Sequence, residues 1–166
     1  TITGTSTIHD WTSDVTQVEG SMVIEDKALK RGSLKKGDRV ERVEIMVPVK
    51  SIVSPRGATM DKKTYNALKS EQHPNIRFLL SDNKVTDVDG DTFMVNAKGE
   101  LTIAGQTNTI SMEVEGRQRA DGSFWFKGSK ELNMVDYEVE PPSAMFGQIV
   151  TGEKVTINFE VIFSRP

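Results

Sequence analysis

The sequence predicts an all-β fold, an antiparallel β-barrel of about eight strands with one short α-helix inserted. Two observations lead to this prediction. Apolar and polar residues alternate along much of the chain, which is typical of strands with one buried face. Turn-forming dipeptides separate the alternating segments, and only one stretch of the 166 residues carries a helical pattern instead.

The alternation is clearest at residues 93–103 and returns at 110–115, 124–127 and 155–163. Weaker segments at 3–10, 15–26, 39–50 and 75–87 bring the number of strands to about eight. Because successive side chains of a strand point to opposite faces, this pattern fixes which residues are buried. The residues expected to point inward between positions 91 and 131 are Phe93, Leu101, Ile103, Met112 and Phe126.

The connections between strands are short. Asp89-Gly90 and Asp121-Gly122 can supply the positive φ angles of tight hairpins, and Gly105 and Asn108 bracket a third turn. Strands joined so closely are antiparallel. They could close into a barrel or stack as two sheets. Closure removes exposed edges and leaves room for side chains or one small ligand, so we expect a barrel.

A helix is expected at about residues 57–70, where helix-forming residues follow one another. Thr59 or Asp61 could cap its start, and His73-Pro74 would end it, with His73 meeting free carbonyl groups there. No repeat or linker divides the chain, and we expect one domain over residues 1–166.

Composition excludes several classes of function. The net charge is −3 and the basic residues do not cluster, which argues against a nucleic-acid partner. Cysteine is absent, so thiol catalysis and cysteine-bound metal are excluded, and an oxidising compartment is favoured. The chain starts at Thr1 without a methionine, which we interpret as a mature form whose leader has been removed.

Small residues interrupt the apolar faces at Ala97, Gly99, Gly116 and Gly128. Glycine within a strand marks a bend or a place where another group approaches the backbone. These positions therefore indicate either coiling of the strands or free volume for a guest inside the barrel.

Five stretches together resemble the YceI-like family of polyisoprenoid-binding proteins. They are GTSTIHDW at 4–11, SPRGATMDKKTYNALK at 54–69, HPNIRF at 73–78, GELTIAGQTNTI at 99–110 and PPSAMFGQIVTGEKVTINFEVIF at 141–163. The order and spacing of these stretches carry the resemblance, which runs over essentially the whole chain.

The resemblance implies a lipocalin-like barrel in the periplasm or outside the cell, with an apolar channel for an isoprenoid chain such as a polyprenyl phosphate or a quinone tail. The expected partner is such a long-chain lipid, and a homodimer stays open. The residues expected to line the channel are Met60, Leu68, Phe78, Phe93, Val95, Ala97, Gly99, Leu101, Ile103, Met112, Phe124, Phe126, Met134, Phe146 and Phe159.

The sequence contains no arrangement typical of an active site. Its two histidines, His9 and His73, are expected to make structural hydrogen bonds, and no catalytic residue, cofactor or metal is predicted. Arg56, in the turn before the helix, could meet an anionic head group or face solvent. The alternatives to a lipid carrier are a barrel enzyme, such as an isomerase acting on an apolar substrate, and a ligand-free interaction module.

Overall fold

The computed structural model describes residues 1–31 and 33–164, and this part of the chain contains eleven strands and two α-helices. The helices are α1 (Asp26–Arg31) and α2 (Ala58–Ala67), and short 3-10 turns lie at Val49–Ser51 and Met134–Tyr137. The strands are β1 (Ile2–Ser6), β2 (Asp10–Val15), β3 (Glu19–Ile24), β4 (Val40–Pro48), β5 (Ile52–Val53), β6 (Asn75–Asp89), β7 (Thr92–Ile103), β8 (Gln106–Gln118), β9 (Phe124–Asn133), β10 (Ser143–Ala144) and β11 (Ile149–Phe163).

The strands form one curled antiparallel sheet, a half-barrel, in the order β3-β4-β6-β7-β8-β9-β11-β1-β2-β5, with β10 paired to β11. The turn Val49–Ser51 carries the chain from β4 to β5, and β5 pairs with β2 at the far end of this order. The Thr16 amide also donates to the Ser51 carbonyl at 2.9 Å. These contacts bring the far end of the sheet back to β4, so the inward faces of the strands surround a common interior.

The predicted register of the central strands is confirmed. β7 pairs with β8 and β8 with β9, both antiparallel, and the two-residue turn Ala104-Gly105 joins the first pair with φ angles of 49° and 84°. The predicted inward residues are all buried or half-buried in the two apolar clusters of the core or packed against them.

Around the first strands the structure differs from the predicted segments. The predicted strand 3–10 ends at Ser6, because the Ser6 amide and hydroxyl both donate to the His9 carbonyl and close a local turn. Such local bonds compete with the pairing of a strand. The predicted strand 15–26 is divided between β2 and β3, and α1 was not predicted at all. With the two-residue strands β5 and β10, the count rises from about eight to eleven.

The predicted helix is present as α2, but neither Thr59 nor Asp61 caps it. Its N-cap is Gly57, at a φ of 87°, and Asp61 instead accepts a hydrogen bond from the Ser54 amide at 2.7 Å. His73 lies beyond the end of the helix, and its ring covers Gly105 in the β7–β8 turn rather than capping carbonyl groups. Among the described residues, no helix is long and apolar enough to cross a membrane.

The glycines on the inward faces do not leave free volume, which corrects one of the two interpretations given above. A Cβ at Gly99 would lie 2.5 Å from the Phe78 ring, and one at Gly116 would lie 2.3 Å from the ring of Phe93 on the paired strand. A Cβ at Gly128 would likewise lie 2.5 Å from the Phe159 ring. Each glycine therefore makes room for a neighbouring aromatic ring of the sheet, not for a guest.

Candidate functional site

Two adjoining cavities occupy the interior of the half-barrel. Cavity 1 has a volume of about 250 Å3 and lies between α2, the β1–β2 turn and the segment from Met134 to Ile149. Cavity 2 has a volume of about 280 Å3 and lies against the inward faces of the central strands. Ile76, Leu132 and Ile157 belong to the walls of both, so the two cavities form neighbouring compartments of one apolar interior.

Cavity 2 contains the larger share of the channel residues predicted from the sequence. Its wall is formed by aliphatic and aromatic side chains from β4, β6, β7, β8, β9 and β11. The predicted residues in this wall are Phe78, Val95, Ala97, Leu101, Met112, Phe126 and Phe159. These residues come together because they occupy alternate positions along their strands, and the register of the pairing places those positions on the same face of the sheet.

Cavity 1 contains four more of the predicted residues, namely Met60, Leu68, Ile103 and Met134. Helix α2 supplies Met60 and ends at its C-cap Leu68, and the half-buried side of the helix covers this end of the half-barrel. The prediction missed Ile2, Tyr137 and Ile149 in the same wall. Alternation in the first strand and in the last one would have indicated Ile2 and Ile149, whereas nothing in the sequence pattern indicates Tyr137.

Four predicted channel residues line neither cavity. Phe93 and Phe124 are almost fully buried, and their rings stack edge to face as part of a solid core. Gly99 lies under the Phe78 ring. Phe146 is fully exposed at the tip of the β10–β11 hairpin, where its φ is 53°. That a ligand contacts the other eleven residues, which do line the cavities, stays a prediction.

His9 presents an unpaired nitrogen at cavity 1. The Ser6 hydroxyl donates to the His9 carbonyl at 2.8 Å, and Ser6 Oγ lies 3.4 Å from His9 Nδ1. The other ring nitrogen is Nε2. It is buried and has no hydrogen-bond partner among the described residues, while His9 lies in the cavity wall.

Tyr137 is the second polar group of this wall without a partner. Its side chain is almost completely buried, and its hydroxyl makes no hydrogen bond within the described part of the chain. Burial raises the pKa of Tyr137, and the nearby Asn108 side chain opposes this rise in part. The Asn108 amide makes its own hydrogen bond to the Asp136 carbonyl, at 2.7 Å.

Among the residues that the structure describes, the charged side chains in the wall of cavity 1 are two cations. Arg56 comes from the turn before α2 and is exposed, which places it at the mouth, and Lys63 comes from α2 itself. No carboxylate among the described residues lines this cavity. Sequence reasoning singled out Arg56 but missed Lys63, because its neighbour Lys62 carries the same charge and only the helix geometry distinguishes them.

The cavity walls offer apolar surface and a few hydrogen-bonding groups. Within residues 1–31 and 33–164, no group of three or more histidine and carboxylate side chains could hold a metal ion. The pair of Ser6 and His9 is not arranged as nucleophile and base, because the serine hydroxyl donates to the His9 carbonyl at 2.8 Å, whereas its contact with Nδ1 is 3.4 Å long.

Solved structures of low sequence identity share this fold. A polyisoprenoid binding domain from Saccharophagus degradans superposes with a TM-score of 0.72 at 10% identity, over 99% of this chain and 92% of that one. BcnA of Burkholderia cenocepacia gives 0.70 at 15% identity, over 98% and 95%. A YceI protein of Campylobacter jejuni gives 0.68 at 14%, over 93% and 85%. At these identities the likeness concerns the fold.

Sequence comparison leads to one family. No curated protein sequence matches the chain. The family model of the YceI-like domain, however, matches residues 1–163. This match covers nearly the whole chain and agrees with the resemblance seen in its motifs and with the shared fold. The chain therefore belongs to the YceI-like domain family.

Proposed function

We propose that this protein binds a long apolar chain of isoprenoid type in its interior and carries or stores it without altering it. The observation that carries the proposal is the pair of adjoining cavities with apolar walls. Ligand pockets typically have volumes of about 300–1,000 Å3. Each cavity alone falls below this range, and the adjoining pair falls within it.

The arrangement of the cavities favours a long chain over a compact ligand. Cavity 1 ends at the β1–β2 turn and α2, while cavity 2 extends along the inward faces of β4, β6 to β9 and β11. The two cavities meet at Ile76, Leu132 and Ile157. A flexible chain can follow such a path. Each methylene group that it buries contributes about 0.8 kcal/mol. A structural relative from Saccharophagus degradans is a polyisoprenoid binding domain, which supports the same ligand class.

A carrier is favoured over an enzyme because the walls supply contacts rather than a reacting pair. His9 and Tyr137 are single polar groups, and the serine beside His9 directs its proton elsewhere. The proposal includes a location outside the cytoplasm. The absence of cysteine from the chain is consistent with this location, and fractionation of expressing cells would test it.

The chain contains only two tryptophans, and this makes a direct binding assay possible. Trp11 lies in the wall of cavity 1, whereas Trp125 lies on the outside, where its Nε1 donates to Glu160 at 2.7 Å. In a Trp125→Phe protein, Trp11 alone reports on the cavity. We expect farnesol to change its emission in a saturable manner and to be recovered chemically unchanged by solvent extraction.

The matched control is prenol, which has the same alcohol group on a single isoprene unit. Because it buries far fewer carbon atoms, it is expected to bind orders of magnitude more weakly. Equal affinity for both alcohols would contradict binding through the chain. A farnesol that returns isomerised or otherwise modified would favour the barrel enzyme, and an unchanged emission together with no recovered farnesol would favour the interaction module.

A further inference from the structure

We propose that the protein docks on a lipid bilayer through an apolar edge beside cavity 1, with the tip of the β10–β11 hairpin inserted among the lipid chains. This edge, the apolar rim, consists of Ile8 in the β1–β2 turn and of Met145, Phe146 and Val150 in the hairpin. The inference goes beyond the proposed function, because binding to a bilayer can be measured whether or not the interior holds a chain.

The exposure of the apolar rim is the first observation. Phe146 is fully exposed, and Ile8 and Met145 are 60% and 63% exposed. Met145 and Phe146 both have a φ of 53°, a left-handed conformation that costs free energy for residues other than glycine. The Gln148 amide donates to the Met145 carbonyl at 3.1 Å and closes the turn. The hairpin therefore holds two large apolar side chains away from the core, which is typical of an interaction site.

Hydrogen bonds join the parts of the apolar rim into one edge of the molecule. The Thr7 amide donates to the Val150 carbonyl at 3.1 Å, and the Val150 amide donates to the Thr7 hydroxyl at 3.3 Å, so the β1–β2 turn lies against the hairpin. Lys63 of α2 contacts the carbonyl of Ser143, the first residue of β10, at 3.3 Å. Ile8 also lies in the wall of cavity 1. The apolar rim therefore borders the mouth of this cavity.

The distribution of charge favours a bilayer as the partner. Residues 141–152 contain no charged side chain, and neither do residues 2–8, although 27% of the chain is charged. These segments can enter hydrocarbon without the large cost of burying an ionised group. In the described part of the chain, the charged side chains of the cavity 1 wall are the cations Arg56 and Lys63, and cations beside an inserted segment are attracted to an anionic lipid surface.

The shape of the apolar rim favours a fluid partner over a protein surface. A stable protein interface buries about 800 Å2 on each partner, whereas the apolar rim consists of a few side chains on protruding turns. A bilayer needs no matching surface, because its chains move aside around each inserted group. A long isoprenoid chain partitions into the same hydrocarbon phase. Docking by the apolar rim would let such a chain pass between bilayer and cavity without crossing water.

The test measures how much protein sediments with vesicles of phosphatidylcholine that contain phosphatidylglycerol as the minor lipid. The variants are Phe146→Asn and the double variant Met145→Asn with Phe146→Asn. Asparagine tolerates the left-handed conformation better than most residues, so both variants are expected to fold. Burial of one phenylalanine side chain corresponds to roughly a tenfold to hundredfold change in partitioning. We expect Phe146→Asn to weaken vesicle binding by about this factor, and the double variant to weaken it further.

Val88→Asn is the matched control, because Val88 is also an exposed apolar residue but lies beside the β6–β7 turn. Strand β7 begins at Thr92 after this turn and reaches cavity 1 at Ile103, so the length of the strand, roughly 35 Å, separates the two sites. Val88→Asn is expected to bind vesicles as the wild type does. Thermal unfolding of each variant, followed by circular dichroism, checks that the fold is retained.

A second measurement reports which part of the protein enters the bilayer. Phe146→Trp and Val88→Trp are each made in the Trp125→Phe background, in which Trp11 is the remaining native indole. Vesicles with bromine on the acyl chains quench the emission of an indole that contacts those chains. Relative to the Trp125→Phe parent, we expect additional quenching in Phe146→Trp and none in Val88→Trp.

Three results would overturn docking by the apolar rim. One is a wild type that does not sediment with the vesicles. The second is equal vesicle binding by the wild type and folded Phe146→Asn, or equal quenching in the two tryptophan variants. The third is self-association of the wild type, seen by analytical ultracentrifugation and lost in Phe146→Asn, without vesicle binding, since a second copy would then cover the rim. Each of these results leaves farnesol binding by the interior, and hence the proposed function, to stand or fall by its own titration.

Discussion

Filling cavity 2 with a bulky side chain is expected to prevent binding of the chain while leaving the protein folded. Ala97 is the position of choice, because it lies in the wall of this cavity, directly opposite Met112 on the paired strand. Replacement by phenylalanine adds six carbon atoms, about as many as one isoprene unit contains. The free volume of about 280 Å3 can accept the ring without the overpacking that a dense core would suffer.

The magnitude follows from the carbon atoms that the ring displaces. Five carbons at about 0.8 kcal/mol each correspond to a loss of up to about 4 kcal/mol, or roughly a thousandfold weaker binding of farnesol. A chain that shifts toward cavity 1 would recover part of this loss. The assay is the Trp11 emission titration in the Trp125→Phe background, with circular dichroism to follow folding.

Ala120→Phe is the matched control for this substitution. Ala120 is exposed in the β8–β9 turn and lines neither cavity, so the same change there is expected to leave the affinity for farnesol unaltered. A folded Ala97→Phe protein that binds farnesol as tightly as the wild type would refute the placement of the chain in cavity 2.

Three further predictions concern stability. Gly99→Ala should lower the free energy of unfolding by about 1–3 kcal/mol in urea titrations, because the new Cβ would lie 2.5 Å from the Phe78 ring; an unchanged midpoint would show that the ring moves aside freely. Asn83→Leu should cost about 1–3 kcal/mol or more, since the buried Asn83 side chain bonds both the amide and the carbonyl of Val40, at 2.8 and 2.7 Å; full stability would mean that water replaces both bonds. Hydrogen bonds from Arg42 and Arg77 lower the pKa of Glu44. Its contribution to the free energy of unfolding is therefore present above the ordinary carboxyl pKa of 4.5 and is lost as the pH falls through the lower pKa of the folded state. Glu44→Gln should lose less stability than the wild type between neutral pH and pH 3, and parallel pH profiles of the two proteins would contradict this.

The central strands could be predicted from the sequence because each has one buried face. In β7 the strict alternation from Phe93 to Ile103 left a single register in which the apolar side chains share the interior. The cavity wall followed from the same parity. Seven residues of cavity 2 and Ile103 of cavity 1 were therefore predicted without knowledge of the pairing partners, whereas Met60, Leu68 and Met134 lie outside the strands.

Features that depend on a particular partner across the sheet could not be predicted. The sequence shows that Gly116 and Gly128 lack side chains, but only the register places Phe93 and Phe159 over them. Phe146 is a large apolar residue, yet it lies at a hairpin tip where Met145, Phe146 and Gly147 all have positive φ angles. The parity rule holds only within a strand.

The polar end of the interior was missed for a related reason. His9 faces cavity 1 because the Ser6–His9 turn interrupts the first predicted strand, and this turn depends on a serine hydroxyl bond that hydrophobic periodicity does not register. Tyr137 reaches the same wall from the short 3-10 turn Met134–Tyr137, which has no strand pattern.

The most direct test of lipid carriage is native mass spectrometry of the protein purified without detergent and then incubated with farnesyl phosphate. The wild type and Ala120→Phe are expected to show a mass increment equal to one bound molecule, and Ala97→Phe is expected to show the mass of the unbound chain. Absence of the increment in all three folded proteins, or its presence in Ala97→Phe at wild-type intensity, would contradict the account of an interior that holds the lipid chain.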